Sequence, residues 1–573
     1  MTRLRRPFLA LGLLVLLLAA TPGVASAHAQ LESTDPNPSA VLLVPPTQVV
    51  LHFGEPVEID FGSLRVIGPG GARVDTGAAH HPAADTHAVA VALRADLRDG
   101  TYVVAWRVIS ADSHPVHGAY VFSVGTAEGA SRANALAASI AGQSGDAVVG
   151  VAYWMVRAAA FVGLLLLVGL AVVVAVLWRD GGRTRRIRRG LWWSWSALLG
   201  ATILGVLVQG VDASALPLTD AYRPSLVSAV LRTRFGEVEL LRLVLLAAMA
   251  LVLFGLTGRP GRSDRTGGWI APAACVVGLG LLATPGLAGH AATGSSPAVG
   301  LGLDVVHLAA ASAWVGGLVL LATFLVPRDP GDAWPPDPLD LTLRVSAVAF
   351  SAVVVVVVSG VVQSIRQVGS LYALFHTSYG RTLVVKVCLV VALVALGALS
   401  RRLVRGRTAC HSRPVDVTVG EATDKSAFPR RRLRRTVLAE LAIALAVVGV
   451  TAALVNEVPA GQAAGQPFTY SFSTLGVQVN TIVDPSRAGT GNRVHVYVLS
   501  RVGTPRAVAE LDLSITLPSK SIGPLSVPLI ISGPGHYYAN GFDIPVAGDW
   551  VLKYTVRTDA IDEQVVRTVL PVR

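Results

Sequence analysis

The chain has 573 residues, more than one hydrophobic core serves, and is 52% hydrophobic against only 15% charged, with a mean hydropathy of +0.57. These values exclude an ordinary soluble protein and fit a membrane protein that carries soluble parts. The net charge of +12 comes largely from arginines clustered between apolar runs, so it reports membrane topology and gives no sign of nucleic-acid binding.

The N-terminus reads as a signal peptide over residues 1–27. Arg3, Arg5 and Arg6 form the basic region, Phe8 to Ala20 the apolar region, and Ala25-Ser26-Ala27 a small-x-small cleavage site. Cleavage there makes His28 the first residue of the mature chain. Residues 28–125 then alternate apolar and polar positions: Val49, Leu51 and Phe53; Tyr102, Val104, Trp106 and Val108; Tyr120, Phe122 and Val124. Short alternating runs broken by turns such as Gly68-Pro69-Gly70-Gly71 predict a small β-sandwich. Residues 126–146, rich in Ala, Gly and Ser, read as a linker.

Eight apolar runs follow, at 147–178, 191–211, 237–257, 269–288, 303–326, 345–366, 382–400 and 436–455, each near the length of a bilayer crossing. They predict an eight-helix transmembrane bundle over 147–456. Arginines crowd the stretches 179–189, 259–265 and 401–435, all on one side if eight spans are counted. The positive-inside rule makes that side cytoplasmic and puts the N-terminal sandwich outside. Residues 466–573 return to alternation, as in Val494, Val496 and Val498, and predict a second β-sandwich, also outside. The expected architecture is therefore a multi-domain protein of the cytoplasmic membrane with a β-sandwich at each end of its helical bundle.

The candidate chemistry is that of copper. A mature N-terminal His28 offers an amine and an imidazole on one residue. Asp112 and His114, two apart in Asp112-Ser113-His114-Pro115, point to the same side of an extended chain and can share an ion with it. That nitrogen and oxygen set suits tetragonal Cu(II). A turn-capping role for Asp112 and His114 is the plain alternative. His117 is a further ligand, a supporting group or a packing histidine. His80, His81 and His87 read as a solvated loop. The chain holds three cysteines (Cys275, Cys388, Cys410) and three methionines (Met1, Met155, Met249), none in either soluble region apart from the leader's Met1. Neither a disulfide framework nor a soft sulfur relay is therefore expected there.

Ionisable or metal-binding groups inside a bilayer are costly and stand out as functional candidates. His290 follows the fourth span and His307 lies about one turn into the fifth, so both can face one outer vestibule. Asp304, His307, Ala311 and Trp314 share a helix face by spacing, and small Ala311 and Gly317 would admit a neighbouring helix. Arg157 in the first span and Glu440 in the last are candidates for a structural ion pair, and Arg381 and Lys386 for snorkelling. No phosphate-binding loop or nucleophile elbow is present in the sequence, so neither ATP-driven transport nor an enzyme activity is expected.

The segments Ser33-Thr34-Asp35-Pro36, Leu51-His52-Phe53-Gly54-Glu55-Pro56-Val57 and Ser110 through Gly118 resemble the CopC family of copper resistance proteins. The resemblance implies a Greek-key sandwich binding Cu(II) through His28, Asp112 and His114. Residues 147–456 resemble the CopD family through Thr233-Arg234-Phe235-Gly236, Gly289-His290-Ala291, His307 through Gly317, Thr377-Ser378-Tyr379-Gly380-Arg381 and Glu440, which implies copper uptake. Gly535-His536-Tyr537-Tyr538 and Ala547-Gly548-Asp549-Trp550 resemble YtkA-like domains, which imply no site residue. The expected partners are copper ions and the lipid bilayer. Two other readings remain compatible with the residues: a membrane-anchored copper-sequestering protein without transport, and a haem-binding membrane redox partner using paired histidines.

Overall fold

The structure is a computed structural model. It describes residue 29 and residues 31–38, 40–61, 64–125, 129–141, 146–258, 267–289, 296–324, 337–368, 371–411, 430–460, 468–484, 486–500, 505–533 and 535–572. His28, His290 and the leader lie outside the described residues. The described chain forms two compact units, a helical one and one holding both β-regions.

The N-terminal β-region has two sheets. One has the order β1 (Leu31–Asp35), β3 (Gln48–Phe53), β7 (Ala88–Leu93), β6 (Asp75–His80); the other β2 (Val41–Leu42), β9 (Pro115–Val124), β8 (Gly100–Ser110), β4 (Val57–Glu58), with β5 (Leu64–Ile67) also on β8. The period-two pattern sets which face is buried. Val49, Leu51 and Phe53 from one sheet meet Tyr102, Val104, Trp106, Val108, Phe122 and Val124 from the other. Phe53 and Trp106 pack edge to face at 5.4 Å, the T-shaped arrangement that aromatic quadrupoles favour.

Within the stretch expected as a linker, Ala130–Ala141 is a helix. Ala133 and Ala137 sit four apart on one face and are buried against Val103 and Val121 of the sheet. Alanine is the best helix former, so a composition that reads as tether also suits a docked helix.

The C-terminal β-region is a sandwich of a five-stranded sheet, β10 (Phe468–Thr474), β11 (Val477–Asp484), β12 (Gly489–Ser500), β16 (His536–Ile544), β15 (Ile530–Gly533), and a four-stranded sheet, β14 (Ile522–Val527), β13 (Glu510–Leu517), β17 (Gly548–Arg557), β18 (Glu563–Val572). Val494, Val496 and Val498 of β12 face inward against Trp550, Leu552 and Tyr554. His495 and Tyr497 therefore lie on the opposite face.

The helical unit has eight helices long and apolar enough to cross a membrane: Ala147–Leu177, Arg185–Ser214, Arg234–Thr257, Gly268–Ala288, Pro297–Thr323, Asp340–Val368, Ser378–Leu399 and Arg435–Leu454. They match the eight apolar runs, with differences at the ends. Arg185 to Arg189 belong to the second helix, and the seventh helix continues to His411. Arginine is a good helix former, and hydropathy marks the crossing but not the helix end. The first span packs against the second, fourth, fifth and eighth and is the central one. At its contact with the fifth, a Cβ on Gly169 would collide with the Ser312 carbonyl oxygen and one on Gly316 with the backbone of Gly169. The closest approach thus uses Gly169, Ser312 and Gly316. Of the two small residues expected to admit a neighbouring helix, Gly317 faces Val345 of the sixth span and Ala311 packs against the cluster of Ala310, Trp314 and Val355.

Candidate metal centre and intramembrane polar cluster

Strand β8 ends at Ser110 and β9 begins at Pro115, so Asp112 and His114 lie in the connecting turn and not on an extended strand. Ser113 takes a left-handed φ of 71°, and Ser113 N–H donates to Ser110 O at 2.8 Å while Ser110 N–H donates to His114 O at 2.9 Å. This tight turn, and not strand alternation, brings the two side chains together: His114 Nδ1 is 3.1 Å from Asp112 Oδ1. Asp112 is fully buried and His114 nearly so. Ser110 Oγ donates to Asp112 Oδ1, and the His114 N–H donates to the same oxygen at 3.2 Å, so the carboxylate is clamped from its own turn.

First-row metal bonds to nitrogen and oxygen are about 2.0–2.2 Å, so donors 3.1 Å apart match neighbouring corners of a tetragonal ion. The turn that Asp112 caps therefore also sets its side chain beside that of His114. Among the described residues no group of three or more His, Cys, Asp and Glu converges, so His117 does not complete a site with them. It lies on β9 in register with Arg107. Ala29, next to His28, is buried in the same core cluster as Trp106 and Val108 of β8. Of the loop histidines, His81 Nδ1 is bonded to Ala88 O at 2.7 Å, and His87 stands 3.5 Å from Asp85.

In the helical unit, the face of Asp304, His307 and Trp314 packs as its spacing predicts. Gln363 Nε2 of the sixth span donates to Asp304 Oδ1 at 2.9 Å, and His307 Nδ1 lies 2.9 Å from Ser359 Oγ. A Cβ on Gly360 would stand 3.3 Å from the His307 ring, so glycine there gives the imidazole its room. Below them Trp314 is buried among Ala310, Val355, Val356, Leu393 and Ala444. Ser359 and Gln363 complete a four-residue polar cluster that spacing along the fifth span alone did not reveal.

Arg157 does not pair with Glu440. It donates to Asn456 Oδ1 at 2.6 Å and to Tyr153 OH at 2.8 Å, and lies over the Tyr153 ring. Asn456 follows the end of the eighth span at Leu454, and Glu440, itself buried, is about 21 Å further back along that helix at 1.5 Å per residue. A buried ion pair lies in the third span, where Arg242 Nη1 donates to Glu239 Oε1 at 2.6 Å and Arg242 Nε donates to Thr284 Oγ1 of the fourth at 2.8 Å. An i, i+3 Glu and Arg inside an apolar run was the available signal.

The segments that begin at Thr233 and Thr377 have a local structural role. Thr233 Oγ1 accepts from Gly236 N–H at 3.2 Å and Thr377 Oγ1 from Gly380 N–H at 3.0 Å, so each threonine caps a long helix directly after a short one.

In the C-terminal sandwich, burial pushes two histidines below the usual imidazole range. His495 is pushed down to about 4, by burial first and then by His536 and Arg493, and burial lowers His536 as well.

Comparison with known proteins places these features in a family. Residues 31–125 match the CopC domain, residues 146–301 the copper resistance protein D-like N-terminal domain, and residues 341–454 copper resistance protein D. The chain is 30% identical to the copper transport protein CutJ of Bacillus subtilis (strain 168) over 560 residues, 94% of this chain and 95% of that one. It is 36% identical to protein YobA of Escherichia coli (strain K12) over 104 residues, 18% of this chain and 83% of that protein. The crystal structure of CopC from Methylosinus trichosporium OB3b is 31% identical, covering 17% of this chain and 93% of its own, at a TM-score of 0.16. With CopC and CopD segments in one polypeptide and a full-length relative at this identity, the chain belongs to the copper resistance and copper transport family that includes CutJ.

Proposed function

We propose that this protein binds Cu(II) outside the cell through His28, Asp112 and His114 and passes copper inward across the cytoplasmic membrane. The observation that carries the reading is the pair of polar constellations. One is a clamped nitrogen and oxygen pair 3.1 Å apart in the N-terminal sandwich. The other is the cluster of Asp304, His307, Ser359 and Gln363 among the spans. A bundle that merely anchored a copper-binding domain would have no use for such a cluster, whose desolvation is costly. His290 and His307 form the receiving site in this scheme. The arginine-rich stretches support a cytoplasmic face at 179–189 and 401–435, with both β-regions on the other side.

The test is cellular copper content at low external copper. Cells carrying the protein should hold more copper than cells without it. The His290→Ala/His307→Ala double variant, inserted normally, should return to the background level while its N-terminal region still binds Cu(II). A fall in cell copper would point to export or sequestration. Undiminished uptake by the double variant would make the two histidines structural.

A further inference from the structure

The segment Gly535-His536-Tyr537-Tyr538 has no part in the function above, yet it builds a second donor pair. Strands β12 and β16 are neighbours, with Val496 opposite Tyr537, His495 opposite Tyr538 and Tyr497 opposite His536. Because side chains alternate, His495, Tyr497, His536 and Tyr538 all stand on the face of the sheet away from its core. There His495 Nδ1 is 3.2 Å from His536 Nε2.

The arrangement of the rings is specific. Their planes are within 18° of each other, and their centroids are 5.4 Å apart. The centroid separation exceeds the nitrogen separation by close to two ring radii, so both nitrogens lie between the rings, head on. Their in-plane lone pairs point along one line. Tyr497 stacks on His536 at 4.5 Å and 8°, and Tyr538 lies 6.1 Å from His495 at 18°. Tyr497 is almost wholly buried, so the pair is walled by aromatic rings on the outer face of an otherwise ordinary sheet. Among the described residues no third His, Cys, Asp or Glu joins it.

We propose that His495 and His536 form a second copper site in the C-terminal sandwich, selective for Cu(I). Two opposed imidazole nitrogens suit a closed-shell ion content with two donors in a line. A Cu(II) ion needs about four donors in a tetragonal set, and two imidazoles supply half of them. Metal–imidazole bonds are about 2.0–2.1 Å each, so the rings must separate by less than about 1 Å, a small rotation about their side-chain bonds. The metal would take the position of the shared proton in the hydrogen bond, and that proton would pass by way of solvent to the outer nitrogen of the same ring, so that both imidazoles bind as neutral ligands. No electron transfer is involved, and the site rests neither on transport nor on its direction.

The experiment uses the full chain in detergent micelles carrying His114→Ala, which disables the N-terminal site. Under anaerobic conditions it is titrated with Cu(I) against a chromogenic Cu(I) chelator. The expected result is one high-affinity equivalent that disappears in the further variant His495→Gln/His536→Gln, with Zn(II) and Cu(II) failing to compete. Glutamine keeps a polar, hydrogen-bonding side chain at both positions, and circular dichroism checks that the sandwich persists. X-ray absorption of the Cu(I)-loaded parent, which needs no variant in the C-terminal sandwich, should show two nitrogen neighbours and the edge feature of a two-coordinate ion. Equal Cu(I) uptake by the glutamine variant, a first shell of sulfur or of four light atoms, or tighter binding of Zn(II) would each overturn the proposal. Loss of this site leaves the Cu(II) spectrum of the unmodified Asp112 and His114 centre unchanged, so its failure and that of the transport reading are separable.

Discussion

Asp304 on the fifth span accepts a hydrogen bond from Gln363 of the sixth at 2.9 Å. One side-chain contact thereby ties two spans. Removing one partner of a shielded hydrogen bond leaves the other unsatisfied, whereas replacing both by apolar groups is close to neutral. Asp304→Ala should therefore lower stability by about 1–3 kcal/mol, and Asp304→Leu combined with Gln363→Leu should regain most of it. Thermal unfolding in one detergent checks this; a single variant as stable as the parent would mean that this contact does not hold the two spans together.

Ser110 is not an expected ligand itself but clamps both residues that are. Its hydroxyl donates to Asp112 Oδ1 and to His114 O at 3.0 Å. Ser110→Ala should weaken Cu(II) binding by about 10–100-fold, the usual cost of losing a group that orients ligands, while the Cu(II) EPR spectrum keeps its form. Unchanged affinity would show that the turn holds Asp112 without the hydroxyl.

The N-terminal amine is tested by one alanine inserted between Ala27 and His28. Every side chain survives, but the amine moves to another residue, and the nitrogen of His28 becomes an amide. Cu(II) affinity should fall by orders of magnitude with a changed EPR spectrum, whereas His81→Ala should do little. The same affinity and spectrum after insertion would remove His28 nitrogen from the ligand set.

Gly169 and Gly316 let the first and fifth spans touch backbone to backbone. Close approach through small residues is a main source of helix association in lipid. Gly169→Leu should force these spans apart and lower the unfolding temperature of the bundle, with Cu(II) binding by the N-terminal region intact. An unshifted unfolding temperature would rule out this crossing.

Much of the architecture was legible because two periodicities carry it. Alternation along Val49, Leu51 and Phe53, or along Val494, Val496 and Val498, assigns the buried face of a strand directly. Apolar runs of about 20 residues identify spans because lipid admits little else. The pairing of Asp112 with His114 was also legible, although for a different reason from the one that spacing suggests: a turn at Ser113, and not an extended strand, sets their 3.1 Å separation. Arg157 was legible as a residue needing a partner, but the partner was not. Depth along an antiparallel helix selects Asn456 over Glu440, and depth depends on how two helices are staggered.

By itself, then, the sequence determined the order of the regions, the eight apolar helices, the buried strand faces and the residues with copper chemistry. These follow from local spacing and solvent preference. Only the tertiary structure decided which distant residues meet: Gln363 and Ser359 around Asp304 and His307, Gly169 against Gly316, and His495 against His536. Such encounters depend on packing between elements far apart in the chain. A hydrogen bond joining positions 304 and 363 leaves no periodic trace in either helix, because each residue taken alone is only one polar group in an apolar run.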